Sequence, residues 1–136
     1  MRYFLAKTDP ETYSIDQLEK EKRTAWDGVN NPQAVRAIRD MRPGDKVFIY
    51  HSGGLSAVVG TAVVRSDPRP DPKNPKSAVV DIEFAGRLEP PTTLAEIKES
   101  KKFEDWALVR QGRLSTMAAP EKFVEWMRRR YPKVAF

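Results

Sequence analysis

The chain has 136 residues, a length typical of one hydrophobic core, and we expect residues 1–136 to form a single domain. It contains no cysteine and one histidine, which excludes disulfides, thiolate nucleophiles and cysteine-ligated zinc. Lysine and arginine number 24 against 19 acidic residues, and the resulting net charge of +5 is typical of nucleic-acid binders and equally of an ordinary solvated surface.

No segment of the sequence has the pattern of a targeting or membrane-spanning element. The apolar run near the start, Tyr3 to Ala6, is followed at once by the charged residues Lys7 and Asp9. A signal peptide needs about 7–15 apolar residues and a membrane helix about 20, so we expect neither. The sequence therefore predicts a cytoplasmic or nuclear-type protein.

Strand and helix signals alternate in the first half of the chain. Ser14 followed by Gln17 is a capping-box pattern, and Asn31 followed by Pro32 is typical of a helix start. The apolar residues of the second of these helices fall on one face. The predicted elements are a strand over residues 2–6, a helix over 15–22, a strand over 24–26, a helix from Asn31 to Met41 and a strand over 46–51.

Strands follow one another without intervening helices in the second half. Val80, Ile82 and Phe84 alternate with charged residues, as in a half-buried strand. Successive strands of this kind favour antiparallel pairing, so we predict an α+β fold with a curled sheet or small barrel. The predicted elements are strands over 57–65 and 78–88, an extended loop over 67–75 with four of the eleven prolines, a helix over 93–99, a further helical turn over 101–106, and a final helix opened by Pro120 with Phe123, Val124, Met127 and Tyr131 on its inner side.

Trp26 is the most informative aromatic residue. Its indole ring can stack on a nucleic-acid base, and Asn30 or Asn31 can read a base edge through the donor and acceptor of an amide. It is equally consistent with the sequence that Trp26 fills the core and that Asn31 only caps the following helix. The residues by themselves leave both interpretations open, whereas Trp106 and Trp126 are expected in the core.

The single histidine, His51, and its neighbour Ser52 are the candidates for catalysis. Adjacent residues of a strand point to opposite faces, so we predict a structural or pocket-lining histidine and no direct pair. The run Ser52-Gly53-Gly54 is either a phosphate-binding nest or a hairpin turn. No nucleophile-elbow, phosphate-loop or calcium-loop pattern is present. Arg113, in a segment without helical signals, is a candidate for the rim of a pocket.

Five segments follow one another along the chain: KTDPETYSIDQL, WDGVNNPQAVRAIRDMRPGD, VFIYHSG, VVGTAVV and LVRQGRLS. Their order resembles the EVE domain family. The resemblance covers nearly the whole chain and implies a PUA-like fold, a small, mostly antiparallel β-barrel of five or six strands with flanking short helices. Members of this family and the related YTH domains bind nucleic acid and hold a modified base in an aromatic cage. The resemblance therefore favours the stacking interpretation of Trp26.

The resemblance also implies which residues line the pocket. This chain has Asn30 where the family has arginine, and its loop over 67–75 holds no aromatic residue for a second wall. That wall comes from Tyr13, Trp106 or Leu114, or the cage is incomplete. The matching positions are Lys7 and Thr8 at the end of the first strand, Trp26 as the stacking wall, Asn31 at the helix start, Tyr50, His51 and Ser52 at a strand end, and Arg113, Leu114 and Ser115 in the closing segment.

Together, the residues and the resemblance predict a non-catalytic nucleic-acid-binding domain that captures a flipped, modified base. Its partner would be DNA or RNA, with no cofactor, metal or membrane involved, and a separate effector protein would act downstream. A weaker alternative is a protein-interaction module in which Trp26 anchors a partner chain. The main alternative is a small hydrolase of the ASCH type that acts on a modified nucleoside. In that enzyme Lys7, Thr8 and a carboxylate such as Glu83 would supply the nucleophile and the base.

Overall fold

A computed structural model describes residues 1–136 and shows seven strands and five helices, which confirms the α+β class. The strands are β1 (Tyr3–Thr8), β2 (Arg23–Trp26), β3 (Lys46–His51), β4 (Ala57–Val64), β5 (Arg69–Asp71), β6 (Asn74–Thr93) and β7 (Thr116–Ala118). The helices are α1 (Ile15–Glu21), α2 (Pro32–Asp40), α3 (Leu94–Glu99), α4 (Ala107–Arg110) and α5 (Glu121–Arg130).

Local capping residues start three of these helices, as the sequence predicts. The side chains of Ser14 and Thr93 accept hydrogen bonds from the backbone of Gln17 and Glu96, and both capping boxes are complete. Asn31 caps α2. None of the helices has both the length and the apolar character that a membrane crossing requires.

The prediction of a helical turn over 101–106 is wrong. Lys101 has a φ of 59°, a left-handed conformation that ends the preceding helical segment. Helix α4 begins only at Ala107, after Trp106. The indole N–H of Trp106 donates to the carbonyl of Ala118 at 2.9 Å, and its buried ring belongs to the core, as expected.

All strands belong to one mostly antiparallel arrangement, with the order β2-β6-β4-β3-β1-β7 and with β5 paired to β6. Only β1 and β3 are parallel neighbours. The sheet is open, because β2 and β7 are its two edges and do not pair with each other, so the prediction of a closed barrel is not confirmed. Helix α2 packs against both β7 and β6, and it covers apolar surface at the opening that strand pairing would otherwise close.

The prediction of an extended loop over 67–75 is also wrong, since this segment forms a small hairpin. Strand β5 pairs with β6 from Arg69↔Val79 to Asp71↔Asn74. The carboxylate of Asp71 accepts the backbone N–H of Lys73 at 2.9 Å, which closes the turn. A strand at an edge tolerates proline, because its outer N–H positions need no partner. With β5 and β7, the sheet has seven strands instead of five or six.

The core is centred on an aromatic cluster between α5 and the sheet. The ring of Phe123 lies 5.2 Å from that of Phe48 on β3 and 4.6 Å from that of Trp106. As predicted, Phe123 and the other inner residues of α5 are buried. This cluster anchors α5 and the segment before α4, and it is separate from the cleft described next.

Candidate functional site

A cleft of about 450 Å³ opens where β1 ends and β2 runs into the turn before α2. We call it the Trp26 cleft. Hydroxyl groups, one carboxylate and two aromatic rings line it, so it offers both hydrogen-bonding groups and aromatic surface. Its lining residues are Thr8, Thr12, Tyr13, Thr24, Ala25, Trp26, Asp27 and Gly28.

Trp26 is both a core residue and a wall of this cleft. It ends β2 in register with Val80 of β6, and only 8% of its surface is exposed. Gly28, with a φ of +75°, then turns the chain toward α2, a conformation that residues with a side chain rarely adopt. The two interpretations of Trp26 that the sequence leaves open therefore both describe part of its environment.

Tyr13 is the second aromatic residue of the cleft. Its ring centroid lies 6.1 Å from that of Trp26, and the two ring planes meet at 84°. Of the three candidates for the second wall, only Tyr13 lines the cleft. Trp106 belongs to the aromatic core, and Leu114 is buried beside a separate groove against α2. The rings of Tyr13 and Trp26 thus form a right-angled corner in place of two parallel walls.

Several hydrogen bonds hold Tyr13 in this position. Its hydroxyl donates to a carboxylate oxygen of Glu21 at 2.5 Å, and its carbonyl accepts from the hydroxyl of Thr8 at 2.8 Å. Burial, followed by the hydrogen bond to Glu21, raises the pKa of Tyr13 to about 12. The phenol is therefore neutral at physiological pH. Its hydroxyl is bonded to α1, and the backbone carbonyl of Tyr13 is bonded to β1.

Lys7 of β1 and its register partner Tyr50 of β3 lie on the opposite face of the sheet from Thr8, because adjacent residues of a strand alternate. The Nζ atom of Lys7 donates to the carbonyl of Gly112 at 3.0 Å and lies 5.4 Å from the centre of the Tyr50 ring. The backbone N–H of Lys7 donates to the carbonyl of Ser115 at 2.7 Å. Burial lowers the pKa of Lys7. These contacts bring the closing segment to β1, but neither Lys7 nor Tyr50 lines the Trp26 cleft.

His51 has a structural hydrogen bond at the start of α1. Its Nε2 atom accepts the backbone N–H of Ile15 at 3.0 Å, which requires a neutral imidazole. Burial lowers the pKa of His51, a shift that Asp16 opposes and Arg87 reinforces. The sequence prediction of a structural or pocket-lining histidine agrees with this contact, and His51 also lines a second cleft beside the loop from β3 to β4.

The parallel pairing of β1 and β3 brings the predicted strand ends together. Thr8 is in register with His51, and the backbone N–H of Ser52 donates to the carbonyl of Thr8 at 3.0 Å. Residues 52–56 connect the antiparallel strands β3 and β4. The arrangement therefore matches the hairpin interpretation of this loop, and it places Ser52 next to Thr8 through the backbone.

The two asparagines after Trp26 have structural partners. The side-chain oxygen of Asn31 accepts the backbone N–H groups of Gln33 and Ala34 at 2.8 and 3.2 Å. The side-chain oxygen of Asn30 accepts from the amide of Asn74 at 3.4 Å. Neither Asn30 nor Asn31 lines the Trp26 cleft. Asn31 thus acts as a helix cap, the simpler of its two predicted roles.

Replacing Asn31 separates capping from any contact with a ligand. We expect Asn31→Ala to lower the free energy of unfolding by about 1 kcal/mol, because the first N–H groups of α2 lose their acceptor. Asn31→Asp keeps a capping oxygen but loses the amide donor, so it should be as stable as wild type. Urea unfolding and ligand titration of both variants check this. A stable Asn31→Asp variant that no longer binds ligand would show that the amide contacts the ligand.

Three polar cleft residues were not among the predicted site residues. Thr12, Thr24 and Asp27 line the cleft beside Tyr13 and Trp26. A signal for two of them is present in the sequence: Thr24 stands two positions before Trp26 on β2 and so shares its face, and Asp27 follows it directly. Thr12 could not be found this way, because only the folded loop after β1 brings it to the cleft.

The residues of the alternative hydrolase have separate partners. The carboxylate of Glu83 pairs with Arg65 at 2.8 Å, while Lys7 is bonded to the carbonyl of Gly112. Arg113 is exposed in a segment without helix or strand. No group of three or more histidine, aspartate or glutamate side chains is placed to hold a metal ion. No observation in the structure favours the hydrolase.

Comparison with known proteins relates the chain to a family of small domains. The model of the EVE domain matches residues 2–130. Thymocyte nuclear protein 1 of Homo sapiens is 32% identical over 124 residues, which cover 71% of this chain and 55% of that protein. The chain thus spans about half the length of the curated relatives it matches.

Solved structures share the fold over almost the whole chain. The NMR structure of Rpa0253 from Rhodopseudomonas palustris superposes with a TM-score of 0.90 and 31% sequence identity. The matched region covers 100% of this chain and 97% of that chain. The crystal structure of the human THYN1 protein in complex with DNA containing 5-methylcytosine superposes with a TM-score of 0.88 and 23% sequence identity. The matched region covers 99% of this chain and 100% of that chain. The YTH domain of Mmi1 shares the fold more distantly, with a TM-score of 0.55 at 20% identity, covering 96% of this chain and 89% of its own.

The family match and the order of secondary structure agree with each other. The family match extends from the first strand to the end of the last helix. The resemblance that the sequence suggests is confirmed, and this chain belongs to the EVE domain family.

Proposed function

We propose that this chain is a non-catalytic nucleic-acid-binding domain that captures one flipped base, carrying a modification, in the Trp26 cleft. The observation that carries the proposal is the aromatic corner of the cleft, where Tyr13 stands at 84° to Trp26. A protein of the same fold, human THYN1, is described in complex with DNA containing 5-methylcytosine, which supports a nucleic acid as the ligand.

The corner fits a flat base in a definite orientation. A base stacked on one ring directs its edge toward the other ring, which favours recognition of groups attached to that edge. Stacking on an aromatic side chain contributes about 1–3 kcal/mol per base, and flipping a base out of its stack costs a few kcal/mol. Further contacts are needed for net binding, and the polar groups of the cleft can supply them.

Asp27 is the group that we assign to reading the base. Its exposed carboxylate lines the cleft and can only accept hydrogen bonds when ionised. Cytosine presents an N4 amino donor, whereas thymine presents an O4 acceptor that a carboxylate would repel. The cleft therefore fits a cytosine-type base, and the methyl group of 5-methylcytosine adds apolar surface that can pack on Trp26 or Tyr13.

Three oligonucleotides that differ at one position test this proposal. That position holds 5-methylcytosine, cytosine or thymine within the same single-stranded sequence, and binding is measured by fluorescence anisotropy. We expect the tightest binding for 5-methylcytosine. The difference in affinity between 5-methylcytosine and cytosine measures the contribution of the methyl group. The difference between 5-methylcytosine and thymine measures the contribution of the amino donor. Equal affinity for all three would overturn base capture in this cleft.

Asp27→Asn should change this selectivity without removing binding. An amide offers both a donor and an acceptor, so it can pair with N4 of cytosine or with O4 of thymine. We expect the preference for 5-methylcytosine over thymine to shrink by about 1–3 kcal/mol, the usual value of a specific base contact. Asp105→Asn, which removes an exposed carboxylate outside the cleft, is the matched control. Unchanged selectivity in Asp27→Asn would exclude Asp27 as the reading group.

A further inference from the structure

A further cleft, of about 400 Å³, lies at the C-terminal half of α2 and beside the β5–β6 hairpin. Arg39 and Arg42 of α2 and Arg69 of β5 line it, and Asp67 is the single carboxylate among its lining residues. We call it the arginine cleft. Ser77, also part of its lining, is buried and donates a short hydrogen bond to the carbonyl of Val29.

Neutral groups hold two of these guanidinium groups in place. Arg39 donates to the carbonyl of Lys76 at 3.1 Å, and Arg42 donates from one nitrogen to the carbonyls of Arg39 and Met41 at 2.7 and 2.6 Å. Neither Arg39 nor Arg42 forms a salt bridge. Their positions are fixed by backbone oxygens while their positive charges stay uncompensated, and each keeps further N–H donors free.

The third arginine is partly neutralised. Arg69 pairs with Asp81 at 2.9 Å and donates to the hydroxyl of Ser66 at 3.3 Å. The cleft nevertheless has an excess of positive charge, because Asp67 is the only carboxylate that faces Arg39 and Arg42 in its lining. Fixed, forked donors with uncompensated charge match the oxygen atoms of a phosphate group.

A short stretch of the chain connects the Trp26 cleft to the arginine cleft. The chain runs from Trp26 through the turn at Gly28 into α2, and the bond from Ser77 to Val29 ties this turn to β6 beside the arginine cleft. Because Ser77 lines the arginine cleft and Val29 follows Trp26 by three residues, the two clefts are neighbours in the fold.

We propose that the arginine cleft binds backbone phosphates of the same nucleic-acid strand whose base occupies the Trp26 cleft. This inference rests on the proposed function, since it assigns the ligand of the arginine cleft to the strand whose base the Trp26 cleft holds. The contact is independent of sequence, because a phosphodiester is the same at every position. It anchors the strand and sets its direction across α2.

The double variant Arg39→Gln/Arg42→Gln tests the assignment through the salt dependence of binding. Each phosphate contact in a single strand contributes about 0.7 to the slope of log affinity against log salt concentration. We expect the magnitude of this slope to fall by about 1.4 for an oligonucleotide with six nucleotides on each side of the 5-methylcytosine. Arg129→Gln, which removes an exposed arginine of α5 without a salt-bridge partner, should leave the slope unchanged.

A probe without phosphate identifies the strand backbone as the ligand of the arginine cleft. The free nucleoside of 5-methylcytosine should bind the double variant and wild type equally, since it carries no phosphate. An unchanged slope with the oligonucleotide, or an equal loss of affinity with the nucleoside, would overturn the inference. These results are independent of base capture: if wild type shows no preference for 5-methylcytosine while the slope still falls, the proposed function fails and the phosphate site stands.

Discussion

Trp26→Ala is expected to bind an oligonucleotide with 5-methylcytosine no more tightly than the matched oligonucleotide with unmodified cytosine. The loss of a stacking surface should weaken binding by about 1–3 kcal/mol, or roughly 5- to 150-fold in Kd. The physical reason is that the indole ring ends β2 directly at the cleft, where it forms one side of the aromatic corner with Tyr13. Anisotropy titration with the matched oligonucleotides measures both affinities.

The same substitution also affects stability, because Trp26 is largely buried. Truncating a buried tryptophan to alanine lowers the free energy of unfolding by about 3–5 kcal/mol. Binding is therefore compared at a temperature where circular dichroism shows the variant to be folded. Trp26→Phe is the matched control, since it keeps an aromatic face and should retain most of the preference. A folded Trp26→Ala variant that still prefers 5-methylcytosine would contradict the stacking role.

Phe123→Ala is expected to produce the largest loss of stability without a change in ligand preference. Its ring is fully buried and packs on Phe48, Phe103 and Trp106 at centroid distances of 4.6 to 5.4 Å. Removing it leaves a cavity at the centre of the aromatic cluster, at a cost of about 3–5 kcal/mol. Typical domains have a total stability of about 5–15 kcal/mol, so this loss is large.

Urea unfolding of Phe123→Ala and Phe123→Leu measures this effect. The leucine variant refills much of the cavity and should lose less stability than the alanine variant. Because the aromatic cluster does not line the Trp26 cleft, folded Phe123→Ala should distinguish 5-methylcytosine from cytosine as wild type does. A loss of stability below about 1 kcal/mol would show that the cluster does not hold α5 to the sheet.

The helices follow from interactions within a few residues, which is why the sequence predicts them well. Ser14, Asn31 and Thr93 cap their helices through backbone groups two or three positions away. The buried face of α5 likewise follows the helical repeat. The failure over 101–106 concerns one residue in a left-handed conformation, Lys101, for which the sequence carries no glycine or asparagine as a signal.

Pairing between distant strands was harder to predict. Strand β5 contains a proline and is stabilised only by its partner β6, so its composition alone indicates a loop. Whether the sheet closes depends on the relation between β2 and β7, which lie about ninety residues apart in the chain. Helix α2 occupies the opening, a packing outcome that no local pattern encodes.

For the functional site, the sequence by itself predicted a role for Trp26, and it determined the capping role available to Asn31 and the family to which the chain belongs. Only the tertiary structure decided that Tyr13 and Asp27 line one cleft with Trp26, and that Leu114 lies elsewhere. It also brought Arg69 of the hairpin next to two arginines of α2. The physical reason is that both clefts form between elements distant in sequence, where side chains meet only after the strands have paired and α2 has packed against the sheet.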